Sequence, residues 1–234
     1  RKGFNNIVYD NLAVYNSIFV SAENYKNIFS LNNLNYYYDV EKLFFSPVDM
    51  YSATTPNHDA IVRAAKIIAS AKKPALLIGK GAAQAQAEEL LKKLSYTYGI
   101  PYLAMSMAKG TLPDDGELSA LSCRTTILSQ SDVMIVVGAR INWLLSFGKG
   151  KWNPNIQIVQ LDIEPREIDR NIPIVAPVIG DLNLSLNTLL EELRNHTMTT
   201  DPAWLPSLQA EAKAKSAKLA TQLAAAASTS PMTH

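Results

Sequence analysis

The stretch that most constrains the fold is residues 74–83, which read PALLIGKGAA. Apolar residues run into Gly79, Lys80 and Gly81, and helix-forming residues follow over 82–94. This pattern is typical of a buried strand that turns sharply into a helix. A turn of this kind at a sheet edge is a place to hold an anion. The other interpretation is that the glycines only let a strand and a helix pack closely.

The glycine spacing does not complete a dinucleotide fingerprint. Gln84 stands where the full motif has Gly or Ala, and no acidic residue follows about twenty positions later to hold a ribose. The rest of the chain must therefore decide between the two interpretations.

Composition narrows the class of protein. The 234 residues carry 22 basic and 21 acidic side chains, so no overall field favours nucleic acid or an anionic membrane as a partner. The single cysteine, Cys123, excludes an internal disulfide framework and fits a reducing compartment; it is either a small packed residue or a reactive thiol. The sequence contains no membrane-span-length apolar run and no signal peptide. We therefore expect a cytoplasmic protein.

Helices and strands alternate through the middle of the chain. Near-continuous apolar runs separated by amphipathic segments indicate a parallel sheet covered on both faces, a doubly wound, Rossmann-like α/β domain. We predict helices over 56–73, 83–98, 119–130, 165–169 and 184–194, and strands over 74–79, 101–106, 133–137, 156–163 and 175–179.

The two ends differ from this middle part. Residues 1–48 are rich in asparagine and tyrosine, and we assign them as a leader, either foreign or poorly ordered, or a partner-binding extension. Residues 49–197 form the predicted α/β domain. Residues 198–234 form a helical linker, whose helix over 203–227 has a sparse apolar face that favours a neighbour outside this chain.

Four predicted strands end in residues suited to a nucleotide. Lys80 and Arg140 could neutralise a diphosphate, Gly81 would let it approach the backbone, and Asp162 could accept hydrogen bonds from ribose hydroxyls. Each has another interpretation alone: Lys80 as a solvated charge, Arg140 as an ion pair with Asp162, and Asp162 as the cap of the helix after Pro165. Their common placement favours an ADP site.

We identify no catalytic group and no metal ligands. His58, His196 and His234 lie far apart in the sequence, and no cysteine or histidine spacing suits zinc. The chain is therefore better suited to holding a ligand than to breaking a bond.

The motifs of residues 59–181 resemble the central domain of thiamine-diphosphate enzymes, most closely oxalyl-CoA decarboxylases and 2-hydroxyacyl-CoA lyases. The segments that carry the resemblance are LLIGKGAAQAQ (76–86), GIPYLAMSMAKGTLPD (99–114), VVGARINWLLSFGKG (136–150), QLDIEPREIDRN (160–171) and APVIGD (176–181).

The resemblance implies a lyase of three domains. An N-terminal domain supplies the glutamate that activates the thiamine ring, and a C-terminal domain binds thiamine diphosphate and magnesium. The central domain of the decarboxylases holds ADP as an activator, a role that falls here on Lys80, Gly81, Arg140, Asp162, Ile163 and Leu182. The resemblance also brings Arg124 and Thr125 close to coenzyme A, although Thr125 stands where the family is expected to have alanine.

The resemblance also sets expectations for the whole protein. The activating glutamate and the magnesium motif are not visible, so we expect a fragment that is inactive alone, with the linker leading to the missing thiamine-diphosphate domain. The parent would be a homo-oligomeric oxalyl-CoA decarboxylase of oxalate catabolism, converting oxalyl-CoA to formyl-CoA and CO2. The alternatives are a scaffold domain with a degenerate nucleotide site, and a piece of a 2-hydroxyacyl-CoA lyase or of an acetolactate synthase, which would hold FAD.

Overall fold

The computed structural model describes residues 53–227. The predicted leader, residues 1–48, and the last seven residues of the predicted linker lie outside the described part.

Helices and strands alternate as the apolar pattern predicts. The helices are α1 His58–Ser70, α2 Lys80–Gln84, α3 Glu88–Tyr98, α4 Arg124–Gln130, α5 Leu182–Leu193 and α6 Trp204–Ala227. The strands are β1 Pro74–Ile78, β2 Tyr102–Ala104, β3 Val133–Val137, β4 Gln157–Asp162 and β5 Ala176–Ile179. Short 3-10 turns lie at Ser106–Ala108, Leu121–Cys123, Trp143–Gly148 and Pro165–Glu167.

The five strands form one parallel sheet in the order β2-β1-β3-β4-β5. Alternate residues of each strand enter two separate cores. On one face, Leu76 of β1 packs with helices α1, α3 and α5, and on the other face Leu77 packs with α4 and α6. The predicted doubly wound α/β fold is therefore confirmed, because both faces of the sheet are covered by helices.

Two predicted helices are shorter than their sequence pattern suggests. The helix predicted over 83–98 is interrupted before α3, where Gln86 has a left-handed φ of 52° and the Asn183 side chain donates to the Ala85 carbonyl (2.7 Å). The helix predicted over 119–130 begins later, because residues 118–120 pair with Tyr102 at the edge of β2. In both places a contact distant in sequence overrides helix propensity.

The first turns of α6 belong to the α/β domain. Trp204 is 2% exposed, its indole N–H donates to the Pro74 carbonyl (2.9 Å), and Leu208 is buried beside it. Further along the helix, Leu219 and Leu223 are 55% and 60% exposed. A neighbour outside this chain, as the sparse apolar face predicts, would therefore cover only the distal half of this helix. Within residues 53–227, no helix has both the length and the apolar character required to cross a membrane.

Candidate functional site

A cavity of about 390 Å³ lies at the carboxyl ends of β1, β3 and β4. From β1 the chain passes to β2, which lies on one side of β1, and then crosses back to β3 on the other side. The strand order therefore reverses between β1 and β3. Ligands of open α/β sheets bind at such switch points, including those with this strand order. The cavity is therefore the candidate site, and its walls come from the loops that follow β1, β2, β3 and β4.

The glycines after β1 and β3 bring two loops into contact. The Gly79 amide donates to the Val137 carbonyl and the Gly81 amide to the Gly138 carbonyl, both at 2.9 Å. A Cβ on Gly81 would lie 3.0 Å from the Gly138 oxygen, and a Cβ on Gly79 would overlap it. Both glycine amides are thus engaged by protein, as the close-packing interpretation predicts. Lys80, which lies between these glycines, brings a positive charge to the cavity, because its exposed side chain lines it.

Arg140 follows β3 and lines the cavity. Its side chain is 72% exposed, and its Nε lies 3.4 Å from Oε1 of Glu167. The same carboxylate oxygen lies 2.7 Å from Nη1 of Arg170. The alternative ion pair between Arg140 and Asp162 is therefore replaced by a pair with Glu167.

Asp162 ends β4 and is largely buried at the cavity. Its Oδ1 accepts a hydrogen bond from the Glu164 amide (3.0 Å). Burial raises the pKa of this carboxyl, partly opposed by that hydrogen bond and reinforced by the nearby Glu167 carboxylate. A hydrogen bond from the Ile163 amide also opposes the rise in pKa. The carboxyl lines the cavity, where it can accept a further hydrogen bond from a hydroxyl donor.

The capping role proposed for Asp162 belongs to Glu164. The Glu164 side chain accepts from the Arg166 amide (3.1 Å) and forms two further hydrogen bonds with the Arg166 guanidinium, both at 2.9 Å. These hydrogen bonds lower the pKa of Glu164 to about 2. Glu164 therefore remains ionised at the rim of the cavity at all ordinary pH values.

Exposed apolar side chains also line the cavity, namely those of Met107, Leu144 and Ile163. Such a surface suits a flat apolar group such as a purine base. Of the predicted nucleotide residues, Lys80, Gly81, Arg140, Asp162 and Ile163 line the cavity. Leu182 does not, because its side chain is buried in the core under the start of α5.

Arg124 and Thr125 lie at the start of α4, outside this cavity. The Arg124 Nη2 donates to the Leu144 carbonyl (2.6 Å), and Leu144 lines the cavity, whereas Thr125 is exposed. Both predicted coenzyme A residues thus lie outside the cavity, and Arg124 contacts one residue that lines it.

Sequence reasoning did not single out Glu164 or Glu167 as residues that line the cavity. The two glutamates lie on either side of Pro165 in the segment QLDIEPREIDRN (160–171), but nothing in their spacing shows that they turn back toward the end of β3. Pairing of Glu167 with Arg140 is a contact across 27 residues, which local patterns do not encode.

Within residues 53–227, no group of three His, Cys, Asp or Glu side chains is placed to hold a metal ion. These residues therefore offer no fit to the magnesium that accompanies thiamine diphosphate, and we derive no catalytic step through that cofactor from them.

Comparison with known proteins identifies the family. The model of the thiamine pyrophosphate enzyme central domain matches residues 61–189. Oxalyl-CoA decarboxylase of Escherichia coli is 45% identical over 152 residues, which cover 65% of this chain and 27% of the relative. The 2-hydroxyacyl-CoA lyase of Arabidopsis thaliana is 36% identical over 167 residues (70% and 29%), and acetolactate synthase of Mycobacterium bovis is 32% identical over 158 (62% and 25%).

A solved structure, described as that of a thiamin diphosphate-dependent enzyme from Mycobacterium smegmatis, shares the fold. The TM-score is 0.52 at 20% sequence identity, over 65% of this chain and 30% of that one. The match thus spans less than a third of the length of each relative. The family match, the parallel sheet and the cavity at its switch point agree, and the chain belongs to the thiamine pyrophosphate enzyme central-domain family.

Proposed function

We propose that the cavity binds ADP and that the chain is the nucleotide-binding central part of a thiamine-diphosphate-dependent oxalyl-CoA decarboxylase. The observation that carries this proposal is the separation of charge within one cavity. Lys80 and Arg140 lie at the end formed by β1 and β3, and Asp162 lies at the end formed by β4. An adenine nucleotide has the same order of groups, with an anionic diphosphate next to a ribose that donates hydrogen bonds.

The proposed binding mode matches the groups of ADP to the side chains that line the cavity. The two cations would neutralise the diphosphate, with Arg140 offering charge-assisted hydrogen bonds. The Asp162 carboxylate, which lines the cavity, would accept a hydrogen bond from a ribose hydroxyl. The base would rest on Ile163 and Leu144. A volume of about 390 Å³ falls within the range for pockets of nucleotide-sized ligands.

The reaction of the parent enzyme is proposed from the printed names of the relatives. The decarboxylase from Escherichia coli is the relative reported above with the highest identity, which favours oxalyl-CoA as substrate and formyl-CoA and CO2 as products. Thiamine diphosphate, when bound by the parent enzyme, supplies the stabilised carbanion that decarboxylation needs. The residues of this chain would bind and orient: Lys80, Gly81, Arg140, Asp162 and Ile163 at ADP, and Arg124 and Thr125 near coenzyme A.

We also propose the organisation that this function requires. Residues 49–197, with the first turns of α6 packed on them, would form the nucleotide domain, and the rest of 198–234 the linker toward a thiamine-diphosphate domain. The complete enzyme would be a cytoplasmic homo-oligomer with magnesium at the thiamine site and an acyl-CoA as its substrate. The exposed distal half of α6, with Leu219 and Leu223, supports a neighbour at that end.

A second candidate is a non-catalytic assembly domain whose nucleotide site is degenerate. It is favoured by the glycine amides, because Gly79 and Gly81 donate to the β3 loop and are not available to a phosphate. A third is a piece of a 2-hydroxyacyl-CoA lyase or an acetolactate synthase, since both also match this chain.

Calorimetric titration of the purified chain with ADP, FAD and coenzyme A tests these candidates. One-to-one binding of ADP, with weaker binding of the other two, would support the decarboxylase proposal. Preference for FAD would favour the acetolactate synthase alternative. No binding by a protein with a cooperative melting transition would favour the degenerate site.

A further inference from the structure

Glu167 is a nearly buried carboxylate that the proposed binding mode leaves without a role. Its side chain is 9% exposed, although it lies on a short 3-10 turn at the surface. It lines the nucleotide cavity and also a second, small cavity behind it. One oxygen contacts both Arg140 and Arg170. A buried carboxylate is costly unless it is paired, so these contacts hold Glu167 in a defined place.

The contact with Arg140 involves one particular nitrogen. Glu167 lies against the Nε of Arg140, at 3.4 Å. The terminal nitrogens of the Arg140 guanidinium make no hydrogen bond to protein within residues 53–227. Because a guanidinium is planar and rigid, an ion pair at Nε restricts the directions open to the terminal pair, which is the pair that binds two phosphate oxygens together.

Gln160 lies beneath Glu167 in the core. It is on β4, two residues before Asp162 and on the same face, and it is 1% exposed. Neither its amide nitrogen nor its amide oxygen has a hydrogen-bond partner among the described residues. Buried amides are almost always satisfied by protein or by internal water.

The small cavity behind Glu167 can hold such an internal water molecule. Its volume is about 10 Å³, the size that holds a single water molecule, and its walls include Gln160, Glu167 and Asn171. A water in this cavity would have the polar partners that internal waters require, namely the Gln160 amide and the Glu167 carboxylate.

We propose that Glu167 is the positioning residue of the nucleotide site: it orients the Arg140 guanidinium toward the diphosphate, and Gln160 holds Glu167 from the core through one buried water. This inference rests on the proposed function, because the diphosphate is the group that Arg140 meets. The Glu167 carboxylate itself repels a phosphate, so its contribution to affinity is through Arg140.

The test compares two variants that remove the same charge. Glu167→Gln should weaken ADP binding about tenfold, whereas Glu164→Gln should bind ADP at least as tightly as the unmodified protein. Both residues line the cavity, but Glu164 pairs with Arg166 and not with Arg140. Adenosine affinity should be equal in all three proteins, because adenosine has no diphosphate. An equal loss for ADP and adenosine in Glu167→Gln would overturn the proposal.

Two further variants separate positioning from a structural role. In an Arg140→Ala background, Glu167→Gln should cause no additional loss of ADP affinity, since the group it orients is gone. Additive losses would contradict the proposal. Gln160→Met keeps the side-chain length and removes the polar atoms, and it should weaken ADP about threefold while leaving adenosine binding unchanged. Unaltered ADP affinity in this variant would remove Gln160 from the inference.

A measurement made without nucleotide distinguishes the positioning role of Glu167 from the proposed binding of ADP. In ¹⁵N-labelled protein, the Arg140 Nε–H signal should shift and exchange faster with water in Glu167→Gln, and should stay as it was in Glu164→Gln. An unchanged signal in Glu167→Gln would overturn the positioning role whatever the nucleotide result. A changed signal in a protein that binds no ADP would leave the positioning role and reject the proposed function.

Discussion

Gly79 and Gly138 touch across the switch point of the sheet, and neither has room for a side chain. A Cβ on Gly79 would overlap the Gly138 carbonyl, and a Cβ on Gly138 would lie 2.9 Å from the Gly81 α carbon. Backbone atoms cannot rotate away as a side chain can, so the contact fixes the spacing of the two loops. Lys80, one residue after Gly79, and Arg140, two residues after Gly138, thereby reach one cavity.

Gly79→Ala should destabilise the domain by about 2 kcal/mol or more, because the added methyl meets backbone. Urea unfolding of the purified chain would measure the free energy change. Gly110→Ala is the matched comparison: Gly110 has a φ of +86° with nothing within 4 Å of an added Cβ, so only backbone strain of about 1 kcal/mol is expected there. Equal losses in the two variants would show that the loop contact does not constrain the fold.

Arg140→Ala should weaken ADP binding by about 1 to 3 kcal/mol, since a charge-assisted hydrogen bond to phosphate is lost. Calorimetry would give the dissociation constants. Arg63→Ala removes the same charge from an exposed site on α1 and should leave the affinity as it was. An ADP affinity that Arg140→Ala does not alter would reject the assignment of Arg140 to the diphosphate.

Asp162→Asn should stabilise the domain at pH 7 while weakening ADP binding. Burial raises the folded-state pKa of Asp162, so the folded state favours the protonated carboxyl, and stability is lost as the pH rises through that pKa. Asparagine cannot ionise and keeps an oxygen for the Glu164 amide. The stability difference should shrink as the pH falls toward about 4, the ordinary aspartate value.

Urea unfolding at several pH values and ADP titration at pH 7 check the two effects of Asp162→Asn. A variant that is less stable than the parent at pH 7 would show that the Asp162 charge is compensated by its surroundings, contrary to the pKa direction derived from its burial.

Trp204→Ala should cost about 3 to 5 kcal/mol, because the indole is buried against the sheet and its N–H donates to the Pro74 carbonyl. Leu219→Ala, on the exposed distal half of the same helix, should change the free energy of unfolding by less than about 0.5 kcal/mol. Thermal or urea unfolding measures both. A mild effect of Trp204→Ala would mean that α6 is not part of the folded core.

Much of the fold follows from local pattern. The apolar runs at β1 and β3 predicted buried parallel strands. The helix predicted to end at residue 98 does so, and Gly99 follows it with a left-handed φ of 63°. The site was predictable in outline for the same reason, since the carboxyl ends of parallel strands meet at one edge. Lys80, Arg140 and Asp162 each follow or end a strand and line the cavity.

The parts that sequence reasoning missed depend on distant contacts. The break before α3 coincides with a hydrogen bond from Asn183, a residue of α5 far from this break in sequence. The partner of Arg140 is Glu167 and not Asp162, although Asp162 is nearer in sequence.

The amino-acid sequence by itself determined the alternation of helices and strands, the parallel sheet and the edge at which the cavity lies, because hydrophobic periodicity and glycine placement act over a few residues. Only the tertiary structure decided which charges pair, which amides remain open to a ligand and which half of α6 is buried. Those outcomes depend on distances between segments that are far apart in the chain. Burial and Coulomb attraction change when such distances change by a few ångströms, and no local sequence pattern encodes these distances.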